Sequence, residues 1–132
     1  MATEATGTFE LEGWDENAYE ELEGGRKLSE AHVKQRFSGD IEGEGEVRWL
    51  MAYRPDEMAD YIGLQRITGS LGGRSGSFVL QTYGTFDGKV AAGAWEVLKG
   101  SGTGELEGLS GSGSFKAPMG EPPEVTLRYE IG

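Results

Sequence analysis

Strict alternation of polar and apolar residues between Asp40 and Tyr53 is the feature that most constrains the fold. Acidic side chains and Arg48 fall on one face of an extended chain, and Ile41, Val47 and other apolar side chains fall on the opposite face. Helical spacing would scatter both sets around a cylinder, so only a strand with a repeat of two sorts them this way. One face must meet water while the other packs in a core. This segment is therefore predicted to be a half-buried strand.

Similar patterns along the rest of the chain predict about eight strands in all. The predicted strands are Thr6–Trp14, Lys27–Ser38, Asp40–Tyr53, Tyr61–Leu71, Ser75–Phe86, Lys89–Leu98, Glu105–Phe115 and Val125–Ile131. Lys27–Ser38 also fits one helical turn, but strand is the preferred interpretation. A closed sheet of eight strands has an interior sized for side chains or for one small ligand. The sequence thus predicts an all-β fold, with residues 1–132 forming a single closed antiparallel barrel.

The connections and one repeated motif give finer expectations. The acidic stretch Asp15–Arg26 is expected to be a connection that holds a helical turn or a flap, and the prolines of Ala117–Glu124 are expected to break strand pairing. The pattern T-G-x-L-x-G-x-S-G-S occurs at Thr68–Ser77 and again at Thr103–Ser112. Small residues in two equivalent hairpins would let neighbouring strands coil tightly. A shared bias towards glycine and serine is the alternative explanation.

Charge and composition exclude several classes of function. The net charge of -11 is the opposite of the basic surface that nucleic acids or anionic membranes require. The chain has no cysteine, which excludes disulfides, thiolate nucleophiles and cysteine metal sites. No apolar run approaches the length that spans a membrane, and the N-terminus lacks a basic and apolar signal segment. We therefore expect a cytoplasmic protein without a nucleic-acid or membrane partner.

Residues suited to metal binding or nucleophilic catalysis are scarce. The single histidine, His32, alternates with charged residues and is expected on the wet face of its strand. The row Asp40, Glu42, Glu44 and Glu46 would spread along a ridge instead of surrounding an ion. No serine has a base at usable distance, and no glycine-rich stretch has the spacing of a phosphate loop. We expect neither a metal nor an organic cofactor.

Polar residues on otherwise apolar strand faces are the candidate site residues. Gln35 lies between Val33 and Phe37, while Gln65 and Glu96 also lie on predicted apolar faces. A buried amide or carboxyl group without a partner costs a few kcal/mol, so each of these groups should be either paired or used in a site. Two interpretations stay open: the groups converge in a pocket, or the glutamines pair within a filled core while Glu96 sits on an edge.

An aromatic-walled cavity around these groups would form a binding site for an apolar ligand. The predicted catalytic residues are Gln65 and Glu96, and the predicted ligand-binding residues are Gln35, Trp49, Met51, Tyr53, Tyr61, Phe78 and Tyr129. The glutamines would hydrogen-bond a carbonyl group of the ligand. A glutamate desolvated in the same cavity would serve as an acid or a base.

Four stretches resemble a family of small bacterial proteins of unknown function. They are G-L-Q-R-I-T-G-S-L-G-G-R-S-G-S-F-V-L-Q from Gly63, F-S-G-D-I-E-G-E-G from Phe37, L-M-A-Y from Leu50, and G-S-G-T-G-E-L-E-G-L from Gly100. The resemblance covers essentially the whole chain and implies an allene-oxide-cyclase-like barrel, a fold also similar to plant dirigent proteins and some polyketide cyclases. Those relatives bind apolar, reactive intermediates inside the barrel and steer a ring closure without a cofactor.

The resemblance gives the functional expectations, but the sequence differs from the family pattern at two positions. A glutamate is common in that family at the position of Gln65, and a histidine at the position of Thr82, so two groups able to move protons are absent here. We expect a cofactor-free cyclase or isomerase that holds a hydrophobic small molecule near its reactive geometry. A non-catalytic carrier of an apolar metabolite is the alternative, and a structural oligomer with a filled core is a third. Association through barrel exteriors, as a homodimer or homotrimer, is also implied.

Overall fold

The computed structural model describes residues 2–56 and 58–132, and its strands close into one antiparallel barrel. The strands are β1 (Thr3–Glu21), β2 (Lys27–Gly39), β3 (Ile41–Tyr53), β4 (Ala59–Leu71), β5 (Arg74–Phe86), β6 (Val90–Val97), β7 (Leu109–Pro118) and β8 (Glu124–Ile131). Each strand pairs with its neighbours in sequence, and β8 pairs with β1 to complete the ring. The predicted barrel of about eight strands is confirmed.

Alternation along the strands separates a wet outer face from a buried inner face. On β3 the side chains of Ile41, Val47 and Trp49 are buried, while Glu44 and Glu46 are exposed. Lys27–Ser38, for which a helical turn was the other interpretation, lies within β2. The acidic row is therefore an outer surface. No helix in the described parts of the chain is long and apolar enough to cross a membrane.

β1 is longer than predicted, and the set of alternating side chains that faces inward changes partway along the strand. The segment Asp15–Glu21, expected to be part of a connection, instead pairs with β2; the helical turn lies beyond it, at Glu23–Gly25. A register shift between Leu11 and Gly13 adds one residue to β1. An added residue reverses which side chains face inward, so simple alternation cannot predict the faces beyond it.

The connection between β6 and β7 closes one end of the barrel. Its short 3-10 turn, Gly104–Leu106, places the side chain of Leu106 in the core without solvent exposure. The backbone N–H of Thr103 donates to the carbonyl oxygen of Ser77 (2.9 Å), and the N–H of Ser77 donates to Thr103 Oγ1 (3.0 Å). These bonds hold the turn against β5. The turn closes this end of the barrel, and we call residues Gly104–Leu106 the plug.

The two copies of the repeated motif form different structures. Thr68–Ser77 forms the β4–β5 hairpin, but Thr103–Ser112 forms the plug and the start of β7, so the expectation of two equivalent hairpins is wrong. What the copies share is local: Gly73 and Gly108 both adopt φ +85°, a left-handed conformation that favours glycine. In the second copy the residues Gly104–Leu106 form a 3-10 turn where the first copy continues β4, so the motif does not form a hairpin there.

Candidate ligand-binding cavity

An apolar cavity of about 660 Å³ occupies the barrel interior at the end opposite the plug. It is lined by Phe9, Glu10, Leu11, Trp14, Val33, Gln35, Trp49, Met51, Tyr61, Gln65, Phe86, Ala91, Trp95, Phe115, Ala117, Pro118, Met119, Glu121 and Pro123. Pockets that hold small molecules measure roughly 300–1,000 Å³. The interior therefore holds a cavity, so the filled core that the third alternative assumed is not present.

Aromatic rings that touch one another build the cavity walls. The ring centroids of Trp49 and Tyr61 lie 4.5 Å apart in an edge-to-face arrangement, and those of Trp95 and Phe115 lie 5.7 Å apart. Trp95 Nε1 donates a hydrogen bond to the carbonyl oxygen of Thr126 (2.8 Å), which satisfies the indole and fixes its plane. Contacts of this kind restrain the rings, so the walls are preformed.

The cavity opens through a gap beside β1. Among the described residues β8 pairs only with Thr3–Gly7 of β1, so no strand lies against the rest of that edge. Leu11 and Trp14 of β1 line one side of the gap, and Met119 lies in the connection that lines the other. These three side chains are 58%, 51% and 71% exposed, respectively. Large apolar side chains exposed around an apolar opening are typical of a binding-site entrance.

Gln35 and Gln65 form a hydrogen-bonded amide pair on the cavity wall. Their side chains are only 6% and 2% exposed, and Gln65 Nε2 donates a hydrogen bond to Gln35 Oε1. The glutamines lie on β2 and β4, on either side of β3. Gly45 of β3 is paired with Gln35 and carries no side chain; the ring of Phe37 occupies the space above it, with Gln35 Oε1 in contact beside the ring. Each of the two open interpretations is thus partly right: the glutamines pair, but beside a cavity.

The predicted aromatic and methionine residues divide into two groups. Trp49, Met51 and Tyr61 line the cavity as expected. Phe78 and Tyr129 are buried and Tyr53 is half-buried, but none of the three lines the cavity, so their predicted contact with a ligand is not supported by their position. The Tyr129 hydroxyl fills the space beside Gly72, at the hairpin between β4 and β5. Alternation identified these residues as inward-facing, but it carries no information about depth along the barrel.

Glu96 lies on the outer surface, and its predicted place inside the barrel is wrong. Trp95 and Val97 are buried on either side of it, so the side chain of Glu96 must point outward. The error comes from the composition of β6, where small residues from Ala91 to Ala94 occupy both faces. Only Trp95 and Val97 distinguish the inner face of this strand.

Tyr53 belongs to a polar cluster that the sequence patterns did not reveal. Tyr53 Oη and Ser29 Oγ donate hydrogen bonds to Glu16 Oε2 (2.6 and 2.7 Å), and Trp14 Nε1 donates to Glu16 Oε1 (3.1 Å). Burial raises the pKa of Glu16, but these hydrogen bonds and the charge of Lys27 outweigh it and leave the pKa lowered. The carboxylate thus fastens the second half of β1 to the barrel. The register shift in β1 hid Glu16 from simple alternation.

Tyr53 and Tyr61 are neutral phenols at physiological pH. Burial raises the pKa of Tyr61 to about 12. Burial, together with the hydrogen bond to the Glu16 carboxylate, also raises the pKa of Tyr53. Phenols of this kind exchange hydrogen bonds with a ligand but do not act as bases. The cavity therefore offers uncharged polar groups: two amides and one phenol.

Thr82 is a fully buried polar residue whose hydroxyl has no hydrogen-bond partner in the described structure. The pairs Gly63–Thr82 and Gln65–Leu80 place Thr82 diagonally across from Gln65 on the inner face of the sheet. The two positions where the family resemblance implies proton-transferring groups are thus neighbours. A buried hydroxyl without a partner lowers stability by about 1–3 kcal/mol.

Charged groups around the cavity are few and acidic. Glu10 and Glu121 line the opening, and no described residue that lines the cavity is a lysine, arginine or histidine. His32 is on the outer face, where its Nε2 lies 3.7 Å from Glu46 Oε2. Within residues 2–56 and 58–132, no group of three or more histidine, aspartate or glutamate side chains is placed to hold a metal ion.

The fold and the cavity define a class of protein: a closed eight-stranded barrel with an open, apolar internal pocket. The profile of the family described as protein of unknown function, DUF3224, matches residues 5–129, and the chain belongs to that family. The expected family is thereby confirmed. No curated protein matches the chain.

A solved structure of a DUF3224 protein with unknown function from Shewanella oneidensis MR-1 has the same fold. It is 29% identical in sequence and superimposes with a TM-score of 0.85. The alignment covers 100% of this chain and 99% of that one. The similarity therefore extends over the entire barrel, including the strands that line the cavity.

Replacing Thr82 with valine removes the unpartnered hydroxyl at nearly constant volume. We expect the free energy of unfolding to stay unchanged or to rise by up to about 1 kcal/mol. Ser29→Ala is the matched control, because it removes a buried hydroxyl that does have a partner, and it should lower stability by roughly 1 kcal/mol. Urea unfolding followed by tryptophan fluorescence measures both. A clear loss of stability in Thr82→Val would mean that its hydroxyl is hydrogen-bonded in solution.

Replacing Glu16 with glutamine should weaken the attachment of β1, with a defined pH dependence. At pH 7 we expect the free energy of unfolding to fall by roughly 1 kcal/mol, because three hydrogen-bond donors lose a charged acceptor. The folded pKa lies below the ordinary value of 4.5, so the carboxylate stabilises the fold fully above that value and progressively less as pH falls through the folded pKa. The difference in the free energy of unfolding between the variant and the unmodified protein should therefore become smaller in acid. Glu20→Gln, an exposed change on the same strand, is the control; a pH-independent difference would contradict the assignment.

Proposed function

We propose that this protein binds a hydrophobic small molecule inside its barrel. The observation that carries the proposal is the cavity of about 660 Å³, with aromatic walls and an opening surrounded by exposed apolar side chains. Moving apolar ligand surface from water into such a cavity is favourable by roughly 25 cal/mol per Å². Preformed walls reduce the ordering cost of binding.

Cofactor-free cyclisation or isomerisation is the reaction that we propose for this site. Its support is the fixed aromatic wall formed by Trp49, Tyr61, Trp95 and Phe115, which would confine a flexible molecule to a narrow range of conformations. Confinement near a reactive geometry removes several kcal/mol from a barrier without a strong acid or base. The pair of Gln35 and Gln65 would position a carbonyl group, and Tyr61 would donate a hydrogen bond as a neutral phenol. A non-catalytic carrier is the alternative that uses the same cavity.

The predicted homodimer or homotrimer and the cytoplasmic location stay predictions. Three exposed apolar residues, Leu50, Ile62 and Tyr83, are relevant to the predicted oligomer. They form a cross-strand row on the outer face of β3, β4 and β5 and are 47%, 60% and 57% exposed. A second copy seated on this row would bury apolar surface outside the cavity.

Filling part of the cavity should weaken ligand binding without unfolding the barrel. Ala91 lines the cavity from β6, so Ala91→Phe should weaken binding of the neutral probe N-phenyl-1-naphthylamine by about tenfold or more, a loss of about 1.4 kcal/mol. Ala92→Phe is the matched control, since the neighbouring side chain points to the other face of the same strand. Probe fluorescence measures binding, and circular dichroism checks the fold. Equal affinity in both variants would place the probe outside the barrel.

Turnover separates an enzyme from a carrier. We expect a polyene or polyketide-derived substrate incubated with the protein to give a cyclic or isomerised product faster, and with more stereochemical bias, than without it. Gln65→Leu should lower that rate, with Gln81→Leu on the outer face as the control. Product mass and chirality are the measurements. Tight binding with unchanged rate and stereochemistry would leave the carrier function for that ligand.

A further inference from the structure

The amide pair leaves unused hydrogen-bonding groups on a buried cavity wall. Gln65 Nε2 donates to Gln35 Oε1, and neither the Gln35 amide nitrogen nor the Gln65 carbonyl oxygen bonds to any described protein group. The two residues are 94% and 98% buried, since their exposed fractions are 6% and 2%. The pair therefore has one donor group and one acceptor group without a partner in the described protein, on an otherwise apolar wall. Exchanging nitrogen and oxygen in both amides leaves the same combination, one free donor and one free acceptor.

Unused polar groups at this depth favour a complementary ligand group. A ligand that covers these groups without bonding to them would leave a buried amide unsatisfied, at a cost of about 1–3 kcal/mol, whereas a ligand able to accept from one glutamine and donate to the other avoids that cost. An apolar ligand without polar atoms would leave both groups unsatisfied. The wall thus discriminates between ligands of the same shape that differ in their polar end.

The charges around the cavity select against an anionic ligand. No described lining residue is positively charged, while Glu10 and Glu121 flank the opening and the net charge of the chain is -11. A carboxylate placed on the amide pair would lose its hydration without gaining a cationic partner, which is costly. A fatty-acid anion is therefore a poor fit, although its hydrocarbon chain would suit the walls.

We propose that the ligand of this cavity is an uncharged apolar molecule whose polar end both accepts and donates a hydrogen bond, such as a carboxamide or an alcohol, with that end bound to Gln35 and Gln65. The inference rests on the proposed function, because it assigns the ligand chemistry of the same cavity. It makes the amide pair a determinant of specificity.

Displacement of N-phenyl-1-naphthylamine by four compounds that share an unbranched eight-carbon chain and differ in the polar end tests the inference at pH 8. We expect octanamide and 1-octanol to bind about tenfold more tightly than octanoate, whose charge is desolvated without compensation. Methyl octanoate accepts but does not donate, and we expect it to bind about threefold more weakly than octanamide. The unmodified protein suffices for this comparison, so it does not depend on a variant that folds.

Two variants assign the preference to the amide pair. Gln65→Leu should bring the affinities for octanamide and methyl octanoate together, while Gln81→Leu, on the outer face, should preserve the difference. Octanoate binding as tightly as octanamide, or a preference that survives Gln65→Leu, would overturn the head-group inference and leave the binding function standing. A probe that binds but is displaced by none of the four compounds would overturn it too. No binding of the probe or of any of the four compounds would instead refute the proposed function itself.

Discussion

The pairing of β8 with the first residues of β1 is the interaction on which the rest of the structure depends. Pairs from Thr3–Tyr129 to Gly7–Val125 join the two edges of the sheet and remove its free edges near the plug. Beyond Gly7 the described chain has no further pairs between these strands, so the sheet closes at one end and opens at the other. The packed core and the accessible cavity both follow from this single difference along β1.

Keeping that opening has a structural cost, which the Glu16 cluster offsets. Within residues 2–56 and 58–132, the second half of β1 is paired only with β2, and a strand with one free edge is prone to fray or to pair elsewhere. Glu16 binds Tyr53 and Ser29, so it joins this overhanging segment to both β2 and β3. The same cluster places Trp14 beside the opening. Stability of the rim and shape of the entrance thus depend on the same carboxylate.

Much of the fold was predictable from the sequence, because alternation is a local property. The row of acidic residues on β3, the amide pair's inward direction and the hairpin at Gly72 and Gly73 all follow from a repeat of two and from turn-forming residues. The failures have specific causes. Glu96 lies among small residues that mark neither face, and Glu16 lies beyond a register shift that reverses the faces.

Depth along the barrel axis was also beyond the reach of sequence patterns. Phe78 and Trp49 are both buried and inward-facing, but only Trp49 lines the cavity. Whether an inner residue lies beside the plug or beside the opening depends on strand stagger and on which strands pair at each level. These are properties of the closed sheet as a whole, and no single segment encodes them.

The side-chain amide signals of the three glutamines give the most direct test of the central claim, that an uncharged apolar ligand binds on the amide pair. Gln35, Gln65 and Gln81 are the only glutamines in the chain, and only Gln81 is exposed. In a nitrogen-15 NMR spectrum, saturating octanamide should shift the side-chain NH₂ signals of Gln35 and Gln65 and leave that of Gln81 in place. Saturable binding that leaves the Gln35 and Gln65 signals unmoved would contradict this account.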